Sequence, residues 1–198
     1  MKEPKPYPIV GLTDRASASA SEILAGALIE AGGYDVVGET TFGKGTVQQT
    51  IPMGDGSELK LSLFKWLTSG GNDINGEGVK PTLEVLQPDF FYTAPLTIEE
   101  PLKQDMMGEQ IKSAQLMLEG LGYEPKREDG YFDEQTEQVV RAYQSDNHLE
   151  VTGEIDEETA SMIQQQIVDI VRGGTQDQQL KEAVKLIVEQ AQGSDEGK

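Results

Sequence analysis

The spacing of apolar residues changes partway along the chain, and neither one sheet nor one helical bundle can absorb both patterns. Leu59, Leu61 and Leu63 recur every second residue, the spacing of a strand with one covered face. Further on, Ile111, Gln115, Leu118 and Leu121 follow helical spacing. Leu180, Ala183, Val184, Ile187, Val188 and Ala191 then form an apolar stripe along another helix. Charge divides near the same place. Residues 1–93 hold 7 basic and 12 acidic residues, whereas residues 94–198 hold 9 and 23. A chain of 198 residues is long enough for two small units. The expected division is a mixed α+β unit over residues 1–93, a linker over 94–107, a helical domain over 108–172, and an amphipathic helix with a tail over 173–198. The linker assignment rests on its prolines and its few periodic apolar positions.

Within the first unit, residues 7–12 (YPIVGL) read as a short buried strand. Residues 19–31 read as a helix stopped by Gly32 and Gly33. A short strand follows at 36–38, then the glycine-flanked turn FGKG. Residues 46–53, the turn GDGS and residues 58–67 read as a hairpin, and 79–86 as a last strand. NDINGEG at 72–78 lacks the spacing of a calcium-binding loop and reads as a turn. The second unit carries an internal repeat, GYFDEQT at 130–136 and GEIDEET at 153–159, offset by 23 residues. Each copy has a glycine for a turn, one apolar anchor (Phe132, Ile155) and an aspartate suited to cap a helix (Asp133, Asp156). Two such helix entries, with the helix before them, predict a small three-helix domain.

Composition removes several classes of function. The net charge of −19 argues against nucleic-acid partners, which require a basic surface. It also argues against adhesion to anionic lipid. The chain has no cysteine, so disulfides, thiolate zinc sites and a cysteine nucleophile are excluded. No run approaches the roughly 18 apolar residues of a membrane span. MKEPKPYP shows no apolar stretch of an export signal. No cofactor or metal ligand set is expected, and the sole histidine, His148, reads as a surface or packing residue.

Chemistry enters at ASASASEILAG, residues 16–26. Ser19 and Glu22 have the capping-box spacing, which a helix start alone explains. A serine at that position also has backbone N–H groups beside it, which suits an oxygen that becomes an anion. Lys44, between two glycines in TFGKGTVQQ, reads from spacing alone as an exposed turn lysine, with a base as the alternative. With His148 in the second unit, a Ser-His-Asp triad inside the first unit is excluded. A lysine serves as base when burial keeps it neutral. Gln48, four residues on, would fix the amine by a hydrogen bond without adding charge.

DRASASASEILAGALIEAGGYDVVGETTFGKGTVQQ closely resembles the nucleophile-to-base segment of the carboxy-terminal processing, or tail-specific, serine proteases. FKWLTSGGNDINGEGVKPTLEV also resembles their core. The resemblance implies Ser19 as nucleophile, Lys44 as its base 25 residues later, Gln48 as the orienting residue and the N–H of Ala20 as an oxyanion donor. Ser17 and Ser21 become supporting neighbours. The implied fold is part of a ClpP/crotonase-like core, strands plus the nucleophile helix. The implied activity is endopeptidase cleavage of envelope proteins near or behind their C-termini, at an extracytoplasmic site. AQLMLEGLGY, EDGYFDEQTEQVVRAYQ and TGEIDEET resemble a small peptidoglycan-binding domain, the alternatives being a protein-interaction module or an extension of the protease. The implied partners are protein or peptide substrates and peptidoglycan. The C-terminal stripe is expected to pack on its own protein or on a twin subunit in a homodimer. In the family an export or anchor segment, a PDZ domain and a glycine-containing strand supplying a second oxyanion donor precede the serine. This chain starts about one strand before Ser19, so the 198-residue chain alone is expected not to be a competent protease. The competing expectation is a non-catalytic wall-binding or scaffold module that carries a protease remnant.

Overall fold

The computed structural model describes Lys5 and residues 7–195. The chain forms two compact units. One is drawn from the chain up to Leu86 and again from Gln178 onward; the other spans Gln87–Asp177.

The first unit is built on a parallel three-stranded sheet in the order β1-β2-β5. Its strands are β1 (Val10–Thr13), β2 (Asp35–Gly38) and β5 (Leu83–Glu84). Helix α1 (Ala20–Gly26), prolonged by a π-helical turn over Ala27–Ala31, connects β1 to β2. The central strand is the most buried, with Val36 and Val37 at 1% and 0% exposure, as a parallel strand between neighbours requires. Ala25 of α1 packs with Ile74 and Val79, and Ile29 borders them. β1 starts later than expected because Pro8 has no N–H for a ladder. The strand expected over 79–86 pairs only at Leu83–Glu84. Upstream of it Pro81 lacks a donor, and Val79 turns inward, its N–H donating to Thr41 Oγ1 at 2.7 Å.

The expected hairpin is present as β3 (Thr46–Pro52) and β4 (Glu58–Lys65), with a bulge between Val47 and Gln48. Its period-two stripe predicts a covered face, yet Leu59, Leu61 and Leu63 stay 43%, 36% and 47% exposed. Helix α5 (Gln178–Asp195) packs on β1 and β2. Ala183 is buried there, while Val184 and Val188 face outward. Gln179 Nε2 donates to the Val85 carbonyl at 2.9 Å, and Gln190 Nε2 to Asp35 Oδ2 at 2.8 Å. Helix α5 therefore belongs to the first unit rather than to a separate segment over 173–198, and its apolar stripe is only partly covered there, with Leu180, Val184 and Val188 exposed. The last residues of the expected tail, 196–198, lie outside the described residues.

The second unit contains α2 (Glu109–Gly120), α3 (Glu134–Asp146) and α4 (Glu157–Gly173). Their shared core includes Ile111, Ala114, Leu118, Phe132, Val140, Tyr143, Ile155 and Ile163. Both expected anchors, Phe132 and Ile155, are fully buried. Both expected caps are made: Asp133 accepts from the Thr136 N–H at 2.9 Å and Asp156 from the Thr159 N–H at 2.8 Å. One device was not apparent from the repeat. A fully buried glutamine from the preceding helix grips each repeat loop. Gln115 accepts from the Gly130 N–H and donates to the Tyr131 carbonyl and Thr136 Oγ1. Gln144 accepts from the Gly153 N–H and donates to the Glu154 carbonyl and Thr159 Oγ1.

The stretch expected as a linker, 94–107, belongs to this unit. Phe90 and Leu102 are buried in its core. Leu102 and Ile155 exchange both backbone hydrogen bonds, at 3.0 and 2.8 Å, and Phe132 N–H donates to the Met106 carbonyl. A segment that supplies backbone pairing to both repeat loops cannot swing as a tether. Among the described residues no helix is long and apolar enough to cross a membrane.

Candidate active site

The site is organised by Glu22, the third residue of α1 and completely buried. Its Oε2 accepts from the Ser19 N–H at 2.7 Å and from the Lys44 N–H at 2.8 Å. Its Oε1 accepts from Thr41 Oγ1 and from the Gly43 N–H, both at 2.6 Å. Burial opposes ionisation of this carboxyl. The hydrogen bonds from Thr41, Gly43, Ser19 and Lys44 outweigh that cost and hold its pKa below the usual carboxylate value. The helix start and the loop carrying Lys44 are thus tied through one carboxylate. A second tie joins the Phe42 N–H to the Ser17 carbonyl at 2.9 Å. Ser17 itself is held by Asp14, donating to Oδ1 at 2.8 Å.

Ser19 is half-buried and has φ 58° and ψ −112°, a left-handed conformation that costs a non-glycine residue energy. Ala20 opens α1 and is exposed; as a first-turn residue its N–H has no partner within the helix. Lys44 is exposed and sits between glycines for a visible reason. Gly43 has φ 87°, and a side chain on it would press on the backbone of Gly76 and Gly78 at 3.1 Å. A side chain on Gly45 would meet Asn75 N at 2.7 Å. NDINGEG, expected to be only a turn, is therefore the wall against which the Lys44 loop rests, with the Gly76 N–H donating to the Gly43 carbonyl at 2.8 Å.

The four residues singled out from sequence do not all converge. The backbones of Ser19 and Lys44 meet on Glu22, and Ala20 adjoins Ser19. Gln48 lies exposed on β3, just past the bulge, and among the described residues no hydrogen bond joins it to Lys44. Sequence reasoning placed Glu22 in a capping box but missed its hold on the Lys44 loop. Thr41, which links Glu22 to Val79, carried no sequence signal at all. His148 is exposed, in a left-handed conformation after α3. Among the described residues no cluster of His, Cys, Asp and Glu is arranged to hold a metal ion.

One carboxylate thus holds the amides of Ser19 and Lys44 in the mixed α+β unit, and the helical domain follows along the chain. Residues 2–85 match the family model "Peptidase family S41", and residues 107–163 match the model "Putative peptidoglycan binding domain". The chain is 54% identical, over 92% of its length, to "Carboxy-terminal processing protease CtpB" of Bacillus subtilis (strain 168). It is 38% identical, over 85% of its length, to a "Probable CtpA-like serine protease" of Staphylococcus aureus (strain MRSA252). The solved photosystem II D1 C-terminal processing protease is 42% identical over 39% of this chain and 20% of its own, with a TM-score of 0.38. The chain therefore carries a stretch of peptidase family S41 sequence followed by a stretch that matches a peptidoglycan-binding domain, the two families its sequence resembles. It spans 38% of the length of the Bacillus relative and 34% of the staphylococcal one.

Proposed function

We propose that Ser19 and Lys44 form the catalytic dyad of a serine endopeptidase that cleaves envelope proteins near or behind their C-termini. Lys44 takes the Ser19 proton as the hydroxyl oxygen attacks the scissile carbonyl. The Ala20 N–H faces the developing oxyanion, and Gln48 orients the amine once substrate and the rest of the protease core close the site. The helical domain holds the enzyme against peptidoglycan in an extracytoplasmic compartment. One observation carries this reading: the amides of Ser19 and Lys44, 25 residues apart in sequence, donate to the same carboxylate oxygen. A serine that only caps a helix has no need of that second segment.

The test is labelling of Ser19 by a fluorophosphonate, alongside peptide cleavage, in the protein carrying this segment. Ser19→Ala should abolish both. Lys44→Arg should lose cleavage, because a guanidinium stays charged and cannot accept the proton. Wild-type cleavage in Lys44→Arg would refute the dyad. A second reading draws on the exposure of Lys44 and Gln48, with the hairpin beside them open to solvent. In it the 198-residue chain is a wall-binding or scaffold module whose protease segment is inert. Absence of Ser19 labelling together with sedimentation on purified wall sacculi would favour that reading.

A further inference from the structure

We infer that Glu22 is a positioning residue for this chemistry, its ionised carboxylate fixing the backbones of Ser19 and Lys44 against each other with Thr41 as its second arm. The inference rests on the dyad proposed above and adds to it a residue that touches no substrate.

A capping-box glutamate needs one hydrogen bond, to the N-cap N–H. Glu22 makes that bond and accepts three more from a loop 19 to 22 residues further on. Capping glutamates lie at helix surfaces, whereas Glu22 is 0% exposed. A carboxylate is stable in such a place only when every available donor reaches it, and here two donors reach each oxygen. The two segments held are the two that carry the proposed chemistry. Ser19 has a strained backbone, and its N–H points back to Glu22, so the carboxylate stabilises the conformation that presents the serine. Lys44 has glycine on either side, so neither sequence neighbour offers a side chain to brace it. The backbone anchor at its own N–H therefore decides where its stem begins. Thr41 extends the hold, donating to Glu22 and accepting from the Val79 N–H, which fastens the loop to the small core.

The four donors also explain why the group must be charged. A glutamine has one acceptor oxygen, and its NH₂ would face two N–H donors. Glu22→Gln keeps the volume and breaks half of the hold. Thr41→Val leaves the carboxylate and removes one of its donors, together with the acceptor of the Val79 N–H.

Both variants are compared with wild type, Ser19→Ala and Lys44→Arg in the protein carrying this segment. Steady-state cleavage is followed together with the rate and endpoint of Ser19 labelling. Glu22→Gln should lower kcat by about 10- to 100-fold with KM little changed, the scale of a displaced catalytic group. Thr41→Val should do the same to a smaller degree. The labelling rate should fall at an unchanged endpoint, because every molecule remains folded and competent. A merely structural role would lower the endpoint and leave the rate of the surviving molecules unaltered; that result overturns the inference, as does wild-type kcat in both variants. If Glu22→Gln does not fold, Thr41→Val decides alone. If Lys44→Arg retains wild-type activity, the dyad itself falls and the inference with it, a failure distinct from normal kcat in the Glu22 variant. In the 198-residue chain, amide exchange at Ser19, Gly43 and Lys44 should quicken about tenfold in Glu22→Gln while Val36 and Val37 stay protected. Unchanged exchange at those three amides also overturns it.

Discussion

Glu30 does for the loop at 68–72 what Glu22 does for the loop at 41–44. It lies in the turn that prolongs α1 and accepts from the Gly70 N–H, from Asn72 Nδ2 at 2.9 Å and from Ser69 Oγ at 3.0 Å. The Gly70 N–H contributes most to a pKa lowered to about 2, followed by Thr68 and Asn72. The folded value lies below the unfolded value of about 4.3, so the unfolded state takes up the proton first as pH falls. The stabilising effect of Glu30 is complete above pH about 5 and disappears as pH drops through about 2. Denaturant unfolding of wild type and Glu30→Gln should therefore differ most near neutral pH and converge in strong acid. A Glu30 carboxyl titrating near 4.3 by NMR would refute this. These two glutamates also mark how far single residues can be read from sequence. Ser19 and Glu22 announce themselves because their interaction is local, three residues apart on one helix. The bonds to Thr41, Gly43 and Gly70 span 19, 21 and 40 residues, and only the folded chain brings those partners into reach. The glycines around Lys44 were visible, but the backbone at 75–78 that requires them was not.

At the scale of elements, the repeat loops were legible and the segment preceding them was not. Phe132, Ile155, Asp133 and Asp156 recur at one offset, so two like helix entries follow from the sequence itself. Gln115 stood in an otherwise apolar helical stripe, and a polar residue in a core position is the trace its grip on Gly130 leaves. Residues 94–107 looked like a linker because a segment that pairs by isolated backbone bridges needs no hydrophobic period. The structure predicts that residues 87–177 fold more stably than residues 108–172. The shorter piece lacks the paired Leu102 backbone and the Phe90 and Leu102 side chains of the core. Thermal melts by circular dichroism should place the longer piece several degrees higher, and equal melting temperatures would count against the role given to residues 90–107. Gln144→Leu should cost about 2–4 kcal/mol in denaturant unfolding, because it strands the Gly153 N–H and the Glu154 carbonyl in the interior. A change under 0.5 kcal/mol would mean that the loop finds other partners.

Across the whole molecule, the mixed class and the two-unit plan follow from the change of apolar period, whereas the return of the chain to its first unit does not. An apolar stripe says that α5 has a face to bury, not which surface receives it. The sheet does so, through Ala183 and the hydrogen bonds of Gln179 and Gln190. The helical unit is consequently an insertion between β5 and α5. Its first and last residues meet, Gln87 Nε2 donating to Asp177 Oδ1 at 2.6 Å. On the other side of the junction Gln179 Nε2 holds the Val85 carbonyl. A module whose ends touch can be gained or lost by a single in-frame event without tearing its host. Removing residues 87–177 and closing the gap with a few glycines and serines should leave the first unit with its sheet, α5 and the Glu22 hold in place, read as unchanged amide protection at Val36 and Val37. Loss of that protection would mean that the two units fold only together. If protection survives, the reverse graft is worth making: the excised module, set into a surface turn of an unrelated protein, should bring the proposed attachment to peptidoglycan with it, making cargo of whatever enzyme receives it.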